Sequence, residues 1–288
     1  MAALKYTPFK TEETFINISG KVSYITFKAY EAYPELLCVM STREGGISTG
    51  QFSSMNLGRA ELDGIENVKE NFRLFAAAIK TDPGDIVISD QKHTDNIKIV
   101  HAEDRGKGLF KDKDYDSIDG FITNEKNIAL CLLFADCVPV YLYDPVNKAI
   151  GLVHSGWKGT ALNISDKAVR MMNENFTSRP EDIVAVIGPS ICKSCYEVSS
   201  DLYEVFSKKF SSDELSAIFE VKKDDKFLLD LWLANKIILK KAGLCEENIH
   251  TTDLCTSCNK DFLFSHRASD GKRGNLAALI ELKQSSRC

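Results

Sequence analysis

Three side chains able to bind a metal, His93, Cys137 and His154, stand where buried strands are expected to end. Polar groups at strand ends are held rigidly while still facing a cleft, which is what a metal or catalytic site requires. Two imidazoles and one thiolate leave the fourth corner of a tetrahedron open to water or substrate, the arrangement of catalytic rather than structural zinc. Taken singly, each has an ordinary explanation. A cysteine after an apolar strand is commonly a small buried side chain, and a lone histidine a hydrogen-bonded polar residue. Spacing along the chain does not establish that the three converge.

Other groups invite chemistry. Cys192 with Cys195, and Cys255 with Cys258, are Cys-x-x-Cys pairs of the kind found in zinc ribbons. Ribbons place their pairs ~15–20 residues apart, whereas 59 residues separate Cys195 from Cys255, which argues against a shared four-cysteine site. Gly156-Trp157-Lys158-Gly159-Thr160 opens a helix and could offer backbone N–H groups and Lys158 to an anion such as phosphate. Arg43 and Arg267, each beside turn residues, could grip phosphate through forked guanidinium contacts, with surface ion pairs as the ordinary alternative. Trp157 could stack on a flat heterocycle, although packing between helix and sheet is the commoner use. His266 reads as a solvated loop residue.

The elements that must position these groups can be read from periodicity. Residues 36–41 form a strand running into Arg43-Glu44-Gly45-Gly46, where the glycines permit a tight backbone turn. Val68, Phe72, Phe75 and Ile79 recur at three and four, predicting an amphipathic helix over 65–79. Short strands at 85–89 and 97–101 bracket His93. The apolar run 128–134 reads as a strand buried on both faces that delivers Cys137, and 150–153 delivers His154 ahead of a helix from near Thr160 to about Glu174. Residues 106–119 form a polar surface loop that could act as a lid. Further strands are expected at 183–187 and 249–253, and a helix over 231–242 is capped by Asp230 and ended by Gly243. Interleaved helices and strands with a hairpin-like N-terminal part predict an α/β (α+β) fold: a mixed sheet with helices packed on its faces.

Length and composition bound the rest. The 288 residues suit a single domain spanning 1–288, and 44% hydrophobic with 27% charged residues is ordinary globular usage. A net charge of −5 without single-sign blocks gives no footprint for nucleic acid or an anionic membrane. Met1 to Lys10 lacks an apolar export segment, and the most apolar run, 128–143, is broken by Asp136 and Pro139, so a cytoplasmic chain without membrane spans is expected. Nine cysteines then read as reduced thiols.

The ordered pieces Arg43-Glu44-Gly45-Gly46-Ile47-Ser48, Asn56-Leu57-Gly58, Asn71-Phe72-Arg73, Gln91-Lys92-His93, Asp119-Gly120, Ala135-Asp136-Cys137-Val138-Pro139-Val140, His154-Ser155-Gly156-Trp157-Lys158-Gly159, Gly188-Pro189-Ser190-Ile191, Cys195-Tyr196-Glu197-Val198, Cys255-Thr256 and Phe264-Ser265-His266-Arg267 resemble the laccase-domain, polyphenol-oxidase-like family, also called the peptidoglycan editing factor family. The resemblance runs from about Leu36 to Ile280. It implies an α/β sandwich, a metal and catalytic centre at His93, Cys137 and His154, and action on purine nucleosides: phosphorolysis of adenosine, inosine, guanosine and methylthioadenosine, with deamination of adenosine. The chain departs from the family pattern near its C-terminal end. His266, Arg267 and Ala268 stand where an aromatic residue and paired arginines are usual, and Asn275 follows Gly274 where arginine is usual, which bears on how phosphate or base is held.

The leading expectation is therefore a monomeric zinc-dependent purine nucleoside phosphorylase with adenosine deaminase activity, taking nucleoside and phosphate, with Arg43, Trp157, Lys158 and Arg267 as substrate-binding residues. One alternative is a hydrolase editing peptidoglycan precursors, with Cys137 as nucleophile and His154 as base. Another is a copper-dependent phenol oxidase, although five histidines are few for a multicopper centre. A third is a nucleoside sensor that binds without turnover.

Overall fold

The computed structural model describes residues 12–284; the N-terminal stretch Met1 to Lys10 lies outside them. The first strands are β1 (Thr14–Ser19), β2 (Val22–Phe27), β3 (Leu36–Ser41), β4 (Ile86–Ile88) and β5 (Ile97–Ile99). They are followed by β6 (Gly120–Thr123), β7 (Ala129–Phe134), β8 (Val138–Asp144), β9 (Ala149–Ser155) and β10 (Val184–Ile187). The last are β11 (Glu197–Ser199), β12 (Phe219–Val221), β13 (Lys226–Leu229), β14 (Ile249–Thr251) and β15 (Leu276–Leu282). The helices are α1 (Ala60–Asp63), α2 (Ile65–Ala78), α3 (Trp157–Ala161), α4 (Ile164–Phe176), α5 (Ser200–Ser207), α6 (Ser212–Ile218) and α7 (Leu231–Lys241).

The class is α/β, as expected, but the strands divide among three sheets. One six-stranded mixed sheet runs β1-β2-β3-β15-β7-β4, a second runs β14-β10-β8-β9-β6-β5, and β11-β13-β12 make a small third. The period-two alternation of the two long sheets explains why they stack. On β7, Leu130, Leu132 and Phe134 point inward, and on β8 Tyr141 and Tyr143 do, joining one buried cluster between the sheets. The alternate residues face outward: Ala129 and Cys131 pack under Val68, Phe72 and Phe75 of α2, while Val140 and Leu142 pack under α4 and α7 through Val169, Met172 and Ile238. The result is a four-layer sandwich, helix on sheet on sheet on helix, and the continuous apolar run on β7 is the signature of a strand covered on both faces.

Helix boundaries follow local chemistry. Asp230 accepts from the backbone N–H of Leu233 at 2.9 Å to start α7, and Gly243 at φ +100° lets the chain leave it. The single helix expected from near Thr160 is instead two, α3 and α4, because Asn163 takes a left-handed conformation at φ 58° between them. Gly45 and Gly46 are structural: a Cβ on Gly46 would stand 2.2 Å from the Ser54 carbonyl oxygen. Among the described residues no helix is long and apolar enough to cross a membrane.

Candidate metal centre

The chain passes from one large sheet to the other at one end of the sandwich, and two of these crossings carry the predicted ligands. The β4–β5 connection holds His93 and the β7–β8 connection holds Cys137, since β4 and β7 belong to the first sheet and β5 and β8 to the second. His154 lies near the end of β9, paired with Pro139 of β8. The metal-binding atoms of all three lie within 4.8 Å of one another. The rings of His93 and His154 meet edge to face at 4.8 Å between centroids, and Phe134 closes on His154 at 5.3 Å.

Asp119, just before β6, organises the trio. Its carboxylate has no solvent exposure and accepts the backbone N–H groups of Lys92, His93 and Thr94 at 2.7–3.0 Å as well as the Thr94 hydroxyl at 2.8 Å. Those bonds hold His93 at a φ of 60°, a conformation uncommon for a residue with a side chain. Asp119 also accepts a hydrogen bond from His154 Nδ1–H at 2.8 Å, which leaves Nε2 of His154 as the nitrogen that could face a metal. Gln91 fixes the same loop from the other side: its amide donates to the Leu133 carbonyl at 2.8 Å and accepts from the Leu133 N–H at 2.7 Å.

Charge in the site is arranged around the sulfur. Burial alone would raise the Cys137 thiol, but the imidazoles of His154 and His93 outweigh it and lower its pKa to about 6. Burial would likewise disfavour a charged His154, yet the Cys137 thiolate and Asp119 raise it to about 9, and Asp119, despite its burial, is held at about 2 by His154 and the Thr94 N–H. Gly156 leaves room for this cluster, since a Cβ there would stand 2.8 Å from Cys137 Sγ. Tetrahedral bonds of ~2.0–2.3 Å space ligand atoms ~3.3–3.8 Å apart, so two imidazoles and a thiolate whose ligand atoms lie within 4.8 Å of one another could close on one metal ion.

The trio opens onto a cavity of about 380 Å³. Arg59, Arg273 and Asn275 line it with Leu57, Phe72 and Ile88, and the surface loop at 106–119 contributes Gly108, Leu109 and Lys113. That loop is tied down by the Tyr115 hydroxyl, which donates to the Ile88 carbonyl at 2.8 Å. Burial and the charge of Arg59 lower the pKa of Arg273 from its usual range, and the Nε of Arg273 is buried without a hydrogen-bond partner.

The four expected substrate-binding residues stand elsewhere. Arg43 donates to the carbonyls of Ser53 and Lys260 at 3.0 and 2.6 Å and lies over the Phe264 ring. Arg267 donates to the carbonyls of Cys195 and Glu197 and covers the Tyr196 ring. Trp157 packs against the cluster beneath α4 and α7, and Lys158 is exposed, 5.4 Å from the Trp157 ring centroid. None of the four lines the cavity beside the trio. Sequence reasoning gave no role to Asp119, Arg59 or Arg273. The first stood in the quoted Asp119-Gly120 pair, whereas the two arginines carried no signal beyond a neighbouring glycine.

The paired cysteines stand against the expectation drawn from their spacing. The 59-residue separation argued against a shared cluster, yet Cys192, Cys195, Cys255 and Cys258 converge with all sulfurs within 4.8 Å. β10 and β14 are parallel neighbours, so the segments leaving them run side by side and form a bridge between Ser190 and Cys255; the intervening chain is spent on α5, α6, α7 and the small sheet. For a multicopper centre, by contrast, His101, His250 and His266 join no ligand cluster among the described residues.

Known proteins share this architecture. The chain is 37% identical to purine nucleoside phosphorylase YlmD of Bacillus subtilis, over 87% of this chain and 90% of that one, and 30% identical to a purine nucleoside phosphorylase of Bacteroides thetaiotaomicron, over 92% and 98%. Among solved structures it superposes on the hypothetical protein YfiH of Bacillus licheniformis with a TM-score of 0.86 at 36% identity, covering 93% of this chain and 99% of that one. YlmD of Geobacillus stearothermophilus gives the same TM-score at 29% identity, over 94% and 100%. With residues 37–283 matching the family described as multi-copper polyphenol oxidoreductase laccase, the chain belongs to that laccase-like family.

Proposed function

We propose that this protein is a zinc-dependent purine nucleoside phosphorylase of the cytoplasm that also deaminates adenosine. The observation that carries the reading is the His93, Cys137 and His154 set opening onto a cavity that also holds two arginines; the names of the relatives in B. subtilis and B. thetaiotaomicron support the phosphorylase part of it. Two imidazoles and a thiolate with a free fourth position suit a catalytic zinc ion. When bound, zinc supplies a Lewis acid for drawing in an anionic oxygen or activating water.

The protein's own groups do the rest. Arg59 and Arg273 supply the positive charge that a phosphate dianion needs. Ile65, Leu109 and Leu133, which line the cavity and keep exposed surface, offer an apolar wall against which a purine loses water. In phosphorolysis a phosphate oxygen bonds to ribose C1′ while the C1′–N9 bond breaks and the base leaves with the bonding pair and gains the proton that hydrogen phosphate gives up, yielding free purine and ribose 1-phosphate. In deamination water adds at C6 of adenine and ammonia departs. Asp119 keeps His154 in one tautomer throughout, and the free thiols suit a reducing compartment.

The test compares the wild type with His154→Ala for bound metal by elemental mass spectrometry and for adenosine turnover with and without phosphate. Near-stoichiometric zinc and phosphate-dependent adenine release, both lost in the variant, support the reading; unchanged adenosine without zinc rejects it. One observation favours a second reading. A Cys137 sulfur held at about 6 beside His154 has the makings of a nucleophile for a cysteine hydrolase acting on peptidoglycan precursors. Activity that survives chelation and dies on alkylation would favour it.

A further inference from the structure

We infer that Cys192, Cys195, Cys255 and Cys258 form a second metal site, a closed tetrathiolate that holds a structural zinc ion. The four sulfurs lie within 4.8 Å of one another; Cys195 Sγ is 3.4 Å and Cys192 Sγ 4.0 Å from Cys258 Sγ. A tetrahedral ion with Zn–S bonds of ~2.3 Å spaces its sulfurs ~3.8 Å apart, which these distances straddle. The backbone reinforces the assignment. The N–H groups of Cys192 and Cys258 both point at Cys255 Sγ, at 3.3 and 3.4 Å. Two donors aimed at one buried sulfur suit a thiolate, the form that binds metal, better than a thiol carrying its own proton.

The site differs in kind from the His93 centre. With four protein ligands no position remains for substrate, so its role is to fix chain segments. Those segments grip the catalytic end. Thr256, next to Cys255, donates to Asp136 Oδ1 at 2.6 Å, and Ile191, next to Cys192, donates its N–H to the Asp136 carbonyl at 3.0 Å. The Arg267 N–H donates to the other carboxylate oxygen of Asp136 at 2.6 Å. Asp136 precedes Cys137 and sits at a φ of 84°, a conformation that persists only when its surroundings enforce it. A metal clamping residues 192–195 to 255–258 would thus brace the turn that presents Cys137.

The experiment counts zinc per chain by elemental mass spectrometry on full-length protein purified under reducing conditions. The wild type, His93→Ala/His154→Ala and Cys195→Ser/Cys258→Ser are measured side by side. The expected result is about two zinc ions in the wild type and about one in each double variant. As a measurement that needs no folded cysteine variant, cobalt is loaded into His93→Ala/His154→Ala and the thiolate-to-cobalt charge-transfer absorption recorded; an intensity for four thiolates is expected. A histidine variant with no zinc and no such absorption overturns the proposal. So does a native mass two hydrogens lighter than the reduced chain, with Cys195 linked to Cys258, because a disulfide would then occupy the ligands.

Discussion

Nδ1 of His154 and Oδ1 of Asp119 are 2.8 Å apart, and this contact joins the proposed metal ligand to the carboxylate that also folds the His93 loop. One buried side chain therefore orients two of the three ligands. Replacing it with asparagine keeps the shape but removes the charge that favours the Nδ1 proton and that gathers three backbone N–H groups. Asp119→Asn is expected to lower metal affinity ~10–100-fold, measured by competition against a chromogenic chelator. Unaltered affinity would show that ring packing alone orients His154.

Gly156 tests whether the space around the sulfur matters. Its φ of −63° is open to any residue, so Gly156→Ala acts through the 2.8 Å approach of the new Cβ to Cys137 Sγ. The sulfur must move or the turn must open. Overpacking of this kind costs ~1–3 kcal/mol, and the displaced ligand is expected to cut zinc content and turnover together while circular dichroism stays native. Full zinc occupancy in the variant would contradict the crowding seen here.

The arginines divide into two groups with different expected behaviour. Arg273→Ala removes a cation from the cavity wall and is expected to raise KM for phosphate ~10-fold or more, with a smaller effect on KM for the nucleoside. Arg43→Ala instead strips the Ser53 and Lys260 carbonyls of their donor and is expected to cost ~1–2 kcal/mol of stability with phosphate KM unchanged. Initial rates across a phosphate series and urea denaturation separate the two. A phosphate KM that follows Arg43 and ignores Arg273 would move the anion site away from the cavity.

What could be read from the sequence was whatever depended on local periodicity. β3 falls on residues 36–41 as read, and α2 and α7 end within a residue of the expected limits. The trio was legible because strand ends mark where polar groups can be both fixed and accessible. Pairing between distant segments was not. Alternation on β7 and β8 announces two covered faces but not that the cover on one side is a second sheet. Cys195 and Cys255 are brought together by the parallel pairing of β10 with β14, which leaves no trace in their spacing. Arg273 becomes a neighbour of the site only because residues just before β15 meet the end of β7, where Leu276 pairs with Phe134, and Arg59 follows because Leu57 donates its N–H to the Asn275 carbonyl.

The far end of the sandwich carries a pH dependence of its own. Tyr143 lies at the end of β8 remote from Cys137, ~20 Å along a strand of this length, and its hydroxyl donates to Glu35 at 2.7 Å. Lys148 reaches the same Glu35 oxygen at 2.6 Å. Glu35 precedes β3 of the first sheet while Tyr143 and Lys148 flank the β8–β9 turn of the second, so the contact ties the two sheets. The Lys148 ammonium and the Tyr143 hydroxyl lower the Glu35 carboxyl from 4.5 to about 2. A depressed carboxyl stabilises the fold fully above its unfolded value and loses that contribution as pH falls toward the folded one. Glu35 should therefore contribute at pH 7 and fade between about 4.5 and 2. Lys148 is half exposed, and solvent screening holds the effect to about 1 kcal/mol. Urea denaturation of wild type and Glu35→Gln is expected to show a gap at pH 7 that closes as pH approaches 2. A gap that is constant with pH would mean that Glu35 acts through packing and not through its charge.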